Sequence, residues 1–330
     1  MRRRMLFAAA LALSGARRGV LAQVGARRAR IGFLSGSTPD PATLRSQIEP
    51  LRQGLRELGW SEGNNLDPLE LRWAEGKLDR LPALLDEMLR LDLDVLITTS
   101  PRPAMLAKQA TQTLAIVALG VDDPVQMGLA PSIARPGGNV TGISAAFGGL
   151  LQKRLQLLKD IVPTARRFAI VFNPATVAPK LLTDALPPWE AALGIPIGLA
   201  EVRGSQDFDA AFAALVKDRT DGVVFVADPM IWAQRAALGE LVRKHRLPSV
   251  WGGAPYLEPG GGLASYQGDW AAVYRRGAAL VDKILRGTKP GDIAFEQGTK
   301  LELAVNLKAA KALGITIPQS VLLQADEVIE

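Results

Sequence analysis

An α/β fold of two similar lobes is what this sequence predicts, on three observations. Short apolar runs alternate with amphipathic segments of helical period along most of the chain. The alternation falls into two blocks of similar length. Several apolar runs end in Ser, Thr, Asn or Asp just where a helical pattern opens. Parallel strands need crossover connections, and helices supply them, so the pattern implies mostly parallel sheets covered on both faces.

Taken in order, the chain opens with Arg2, Arg3 and Arg4 before the apolar stretch Met5 to Leu13, and Val20-Leu21-Ala22 fits the small-residue cleavage rule. This predicts a secretory signal peptide, residues 1–22, cleaved near Ala22. The arginine pair before Met5 also admits a twin-arginine signal. The apolar stretch is far shorter than the roughly 20 residues that span a bilayer, and no later stretch reaches that length. The five arginines of residues 1–22, with no acidic residue among them, account for five of the six net positive charges. A nearly neutral mature chain gives no electrostatic warrant for nucleic acid or an anionic membrane surface as partner.

Cysteine is absent. That excludes a disulfide framework, a thiol nucleophile, a cysteine-ligated metal and a lipid anchor on an N-terminal cysteine. The single histidine, His245, ends a helical pattern, where a solvated charge suits the helix terminus. No catalytic residue, metal site or cofactor is assigned. The expectation is a periplasmic, freely soluble monomer.

In the first block, Arg30 to Leu34 and Leu69 to Trp73 read as strands, with a helix from Pro41 to Leu58 between them whose Leu44, Ile48, Leu51, Leu55 and Leu58 share a face. A helix from Leu78 to Leu91 follows. Strand Asp94 to Ile97 runs into Thr98-Thr99-Ser100 and a helix opening at Pro101, and strand Leu114 to Leu119 into Gly120, Asp122, Asp123 and Pro124. The block closes at the turn Pro136 to Asn139 and the run Val140 to Ser144. The second block repeats the scheme with strands Arg167 to Phe172, Ile197 to Val202, Gly222 to Val226 and Pro248 to Trp251 between helices. The two blocks read as two Rossmann-like lobes. About 70 residues then remain, enough to cross back between lobes already complete. This places 29–143 plus about 264–294 in the N-terminal lobe and 144–263 plus about 295–330 in the C-terminal lobe. A multi-strand hinge of this kind permits closure around a ligand.

Ligands of such sheets sit at the carboxyl ends of strands, beside helix N-termini. The first block offers Ser35, Ser37, Thr99, Ser100 and Asp123 there, and the second Asn173 and Asp228. Each has an ordinary reading as helix cap or turn former; their convergence on one cleft favours a binding site. A ligand carboxylate is expected at the helix after Thr99-Ser100. Asp228 is the first choice of acceptor for an ammonium and Asp123 the second, with Asn173 orienting either group. Trp251 offers an aromatic face, its alternative being core packing, and Tyr266 is a second aromatic.

The segments ELGWSEGNNL, RWAEGKLDRLPALLDEML, DDPVQMGLAPSIARPGGNVTGIS, KRLQLLKDIVPTARRFAIVFNPA, VDKILRGTKP and NLKAAKALGITIPQSVLLQADEVIE stand in order along the chain. In them it resembles the ABC-transporter substrate-binding proteins of the tryptophan/tyrosine-binding type, which have the type I periplasmic-binding-protein fold. The resemblance implies a bilobal receptor that delivers a small ligand, an aromatic amino acid in characterised relatives, to a membrane permease. Thr99-Ser100, Asp123-Pro124, Asn173-Pro174 and Asp228-Pro229 match the pattern of relatives. Pro101-Arg102-Pro103 departs from it, since relatives usually show Gly, Thr or Ala there. Arg102 is placed either to meet a second ligand carboxylate or to be solvated at the rim.

Rossmann-like lobes also host enzymes. No G-x-G-x-x-G follows a strand, and no P-loop or G-x-S-x-G elbow is present. Acid–base schemes would therefore rest on carboxylates alone. The same bilobal fold serves repressors, but a signal peptide stands where a helix-turn-helix headpiece would be needed. A periplasmic sensor role remains beside transport.

Overall fold

Parallel strand pairing organises the computed structural model, which describes residues 27–121, 123–144, 149–253, 257, 261–298 and 300–330. The expected leader, residues 1–22, lies outside them. In chain order the helices are α1 (Pro41–Thr43), α2 (Glu49–Glu57), α3 (Leu81–Leu89), α4 (Pro101–Ala110), α5 (Leu150–Ile161) and α6 (Pro179–Leu193). After them come α7 (Phe208–Lys217), α8 (Pro229–Ala233), α9 (Arg235–Lys244), α10 (Trp270–Leu285), α11 (Leu307–Leu313) and α12 (Gln319–Leu322).

The first sheet contains β1 (Ile31–Ser35), β2 (Glu70–Trp73), β3 (Val95–Thr99), β4 (Ala115–Val121), β5 (Val140–Ser144) and the late β11 (Glu296–Gln297). They lie in the order β11-β5-β4-β3-β1-β2, every neighbouring pair parallel. Strands β1, β3, β4 and β5 are buried at every residue. That is the reason they read as unbroken apolar runs: a parallel sheet is covered on both faces. Ile48, Leu51, Leu55, Tyr274 and Ala278 cover one face, from α2, α10 and the turn before α2. Leu81, Leu85, Met88, Ala104 and Ala107 of α3 and α4 cover the other.

The helix expected over Pro41 to Leu58 is broken in its middle. Leu44–Ile48 is a π-helical turn, in which the Glu49 N–H reaches back five residues to the Leu44 carbonyl. Pro50 has no N–H and its ring crowds the carbonyl four residues earlier, so the turn before it widens.

The second sheet runs β13-β12-β10-β9-β8-β6-β7. Its strands are β6 (Phe168–Phe172), β7 (Ile197–Glu201), β8 (Gly222–Phe225), β9 (Ser249–Trp251), β10 (Ala264–Gly268), β12 (Leu301–Asn306) and β13 (Glu327–Ile329). All neighbours are parallel except β10 and β12. One face packs on α5, α6, α11 and α12, the other on α7, α8 and α9.

The chain passes between lobes between β5 and α5, between β10 and α10, and between β11 and β12. The last two crossings fall a few residues later than the sequence reading places them. Ala264 registers with Val250 and Ser265 with Trp251, so β10 belongs to the second sheet. Glu296 registers with Ile143, so β11 belongs to the first. Strand membership is decided by the pairing partner, which a short apolar run does not reveal. The two late crossings are tied together: the Asp269 N–H donates to the Lys300 carbonyl at 2.9 Å, and Lys300 Nζ lies 2.9 Å from Asp269 Oδ2.

Candidate ligand-binding cleft

On the first lobe, the carboxyl ends of β1 and β3 bring two hydroxyls together. Thr99 Oγ1 donates to Ser35 Oγ at 2.9 Å, and both side chains are buried. The Ser37 N–H donates to the same Ser35 Oγ at 3.1 Å. The hydroxyl of Tyr274, from α10, joins this network at Thr99; burial pushes its pKa well up, and the Thr99 bond opposes that only in part.

Ser100 follows with φ 70° and ψ 165° and no side-chain cap bond, while its N–H donates to the Leu119 carbonyl at 3.0 Å. This backbone region is essentially reserved to glycine and costs a non-glycine residue about 1–3 kcal/mol. Proline carries no N–H, so of the first three residues of α4 only Arg102 has a backbone donor. The expected anion seat at this helix is thus poor in N–H groups. Arg102 itself is exposed.

An aromatic wall borders these hydroxyls. Trp270, the first residue of α10, is half-buried and lies 6.1 Å from Tyr274, centroid to centroid. Its ring covers the end of β4, where the register shifts between Leu119 and Val121. Gly120 sits in that bulge with φ +71°, and a Cβ there would come within 2.5 Å of the Trp270 ring. Only glycine fits. Asp123, just beyond, spends one carboxylate oxygen on the N–H groups of Val125 and Gln126, at 2.8 and 3.1 Å, which is its capping role.

On the second lobe, Asp228 and Asn173 are both 4% exposed. Asp228 Oδ1 accepts from the Met230 and Ile231 N–H groups at 2.8 and 3.0 Å and so caps α8. Its Oδ2 accepts from Thr176 Oγ1 at 2.7 Å and from Asn173 Nδ2 at 3.4 Å. Burial nonetheless holds its pKa above the ordinary 3.8, against the lowering effect of those bonds.

The turns that follow the two clusters come into contact. A Cβ on Gly36, next to Ser35, would lie 3.2 Å from Pro229, next to Asp228. The lobes therefore touch between the residue after Ser35 and the residue after Asp228.

Two expected members do not join them. Trp251 is fully buried in the second lobe, its ring stacked on Phe225 at 3.8 Å and its Nε1–H donated to Ser249 Oγ at 2.8 Å. It packs the core instead of presenting a face to a ligand. Trp251 registers with Ser265, so neighbouring Tyr266 points to the opposite face of the sheet, half-buried against the other core layer. The two aromatics cannot form one wall. Sequence reading missed Thr176, Tyr274 and Trp270. The available signal was the aromatic pair four residues apart in DWAAVY, at the start of a helix that re-enters the first lobe.

Two α/β lobes joined by three crossings, meeting over polar strand ends, are the architecture of a ligand receptor that closes on what it binds. The model of the family "ABC transporter substrate binding protein" matches residues 40–329, and the chain belongs to that family. It is similar to the tyrosine-binding protein of Clostridioides difficile, 23% identical over 79% of this chain and 74% of that one. Among solved structures, a conserved domain protein from Vibrio cholerae superposes with a TM-score of 0.82 at 26% identity, covering 92% of this chain and 100% of that one. An ABC domain from Streptococcus pneumoniae in complex with L-Trp superposes with a TM-score of 0.81 at 22% identity, over the same shares. The fold is of the type I periplasmic-binding kind.

Proposed function

We propose that this protein is the exported receptor of an ABC importer, closing its lobes on a small zwitterionic ligand, an aromatic amino acid first of all, and passing it to an inner-membrane permease. The observation that supports the reading is the lobe contact of Gly36 with Pro229, which adjoin the hydrogen-bonded Ser35 and Thr99 hydroxyls on one side and the buried Asp228 carboxylate on the other. A buried carboxylate whose ionisation is opposed by burial gains most from an ammonium. The ligand carboxylate goes to the hydroxyls of Ser35, Thr99 and Ser100 and the Arg102 N–H, with Ser37 and Asp123 at the rim. Asn173 and Thr176 orient the Asp228 side, and the ligand side chain rests on Trp270. The tyrosine-binding relative and the neighbour solved with L-Trp support that ligand class. Localisation is periplasmic, with cleavage near Ala22, which N-terminal sequencing of exported material tests.

Titration calorimetry of L-tryptophan, L-tyrosine and L-leucine against wild type and Asp228→Asn tests the site. Asn keeps an oxygen for the α8 cap, so the variant folds. Loss of one partner of a buried charge pair costs about 2–5 kcal/mol of affinity. A variant that binds within about a factor of two of wild type removes Asp228 from the ligand site.

A further inference from the structure

Both signs of charge are buried at one end of the second sheet. Among the described residues, Arg154 and Asp228 are the only charged side chains that are buried, each 4% exposed. Arg154, on α5, donates through Nε to the Tyr266 carbonyl of β10 at 2.8 Å. A Cβ on Gly252, the residue after β9, would lie 3.3 Å from Arg154 Nη2 and 2.9 Å from the Ala227 Cβ. Ala227 precedes Asp228 and is exposed, so solvent reaches this end of the sheet. The guanidinium therefore lies over the carboxyl ends of β8 and β9, the end that carries Asp228.

The two charges do not meet each other. Asp228 accepts from Met230, Ile231, Thr176 and Asn173 instead. A guanidinium stays protonated in any protein environment, and attraction between opposite charges strengthens where water is excluded. A carboxylate acceptor and a permanent cation on the same strand ends, held apart, offer the two poles that a zwitterion needs. The first lobe supplies no such cation: its hydroxyls stand beside a turn poor in N–H groups, and none of its described basic side chains is buried. Arg102 is exposed there, and a solvated cation contributes little to an ion pair.

We infer that Arg154 is the specificity-determining cation of the cleft: its guanidinium takes the ligand carboxylate from the second lobe, while the hydroxyls of Ser35 and Thr99 take it from the first. The inference rests on the amino-acid site proposed above and deepens it. A planar guanidinium matches a carboxylate with two parallel N–H···O bonds, which a single ammonium group cannot copy. A carboxylate shared in this way bridges the lobes, so closure is completed by the ligand, and an amine without that group closes them poorly.

Titration calorimetry with L-tryptophan and L-tyrosine, each beside its decarboxylated amine, tryptamine or tyramine, reads the assignment as a ratio of affinities. Wild type is expected to prefer each amino acid over its amine. Arg154→Met keeps an apolar stem and removes the charge. Affinity for the amino acids should then fall about thirtyfold or more, while affinity for the amines stays within about a factor of two, and the preference collapses. Arg154→Lys keeps the charge without the planar fork, so the preference should narrow by less. Circular dichroism and melting report whether each variant folds, and Arg154→Lys decides if Arg154→Met does not. An equal loss for amino acid and amine makes Arg154 a brace for Tyr266 and overturns its role in recognition. Wild type that binds the amino acids while folded variants keep its preference overturns Arg154 alone. Wild type that binds neither amino acid overturns the ligand reading, and the role of Arg154 with it.

Discussion

Asp228 has two oxygens and a hydrogen bond from each of four residues, yet burial still keeps its proton on to a higher pH than in an unfolded chain. The folded protein thus binds that proton more tightly than the unfolded one does. Its contribution to stability is fully present below pH 3.8 and is lost as pH rises through the raised folded value. An ammonium in the cleft reverses the balance by favouring the ionised form, so stabilisation by an amino acid should be greatest above that value and fade below it. Calorimetric melting of ligand-free wild type and Asp228→Asn across the acidic range tests this. The difference between them should move in favour of the variant as pH rises through the window, and a constant difference would mean that Asp228 costs the fold nothing. Pro101 and Pro103 act at the same scale. They strip donors from the turn where a carboxylate is proposed to bind, which shifts recognition toward hydroxyls.

Among the elements, the bulge at the end of β4 does the positioning that a regular strand could not. It puts Gly120 in a left-handed conformation and opens room for Trp270 to lie on the backbone. Gly120→Ala should therefore act twice. Alanine at positive φ destabilises by more than about 0.4–1 kcal/mol, and its methyl displaces the indole, so affinity for L-tryptophan should drop while the near-ultraviolet circular dichroism changes. Melting and calorimetry on the one variant check both effects. The interior strands and the helices over them were legible in the sequence, because a sheet covered on both faces must be apolar throughout. So was the place of Ser35 and Thr99 at the ends of β1 and β3 and of Asn173 and Asp228 just after β6 and β8, since each follows an apolar run. Trp251 was not, because its direction follows from a register with β8 and β10 that no local pattern encodes. Trp270 was hidden for a related reason: its helix packs on a lobe left behind more than a hundred residues earlier.

The whole molecule is interleaved by that return. The first lobe's core takes Val273, Tyr274, Ala278, Leu280 and Val281 from α10, and its sheet takes β11 as an edge strand. A fragment of residues 27–144 lacks these, so it should expose one face of its sheet and unfold without a cooperative transition in denaturant. A sharp two-state transition for that fragment would show the late segment to be dispensable. The second lobe's strands β6 to β10 are made before α10, so the lobe that begins first is completed after them. Contacts so distant in sequence form slowly. A chain synthesised at roughly 5–20 residues per second stays open for many seconds while α10 is awaited. If the export proposed above threads an unfolded chain, the interleaving would act as a clock: the N-terminal half would reach the membrane still threadable, and its lobe would close only after the tail had followed it through.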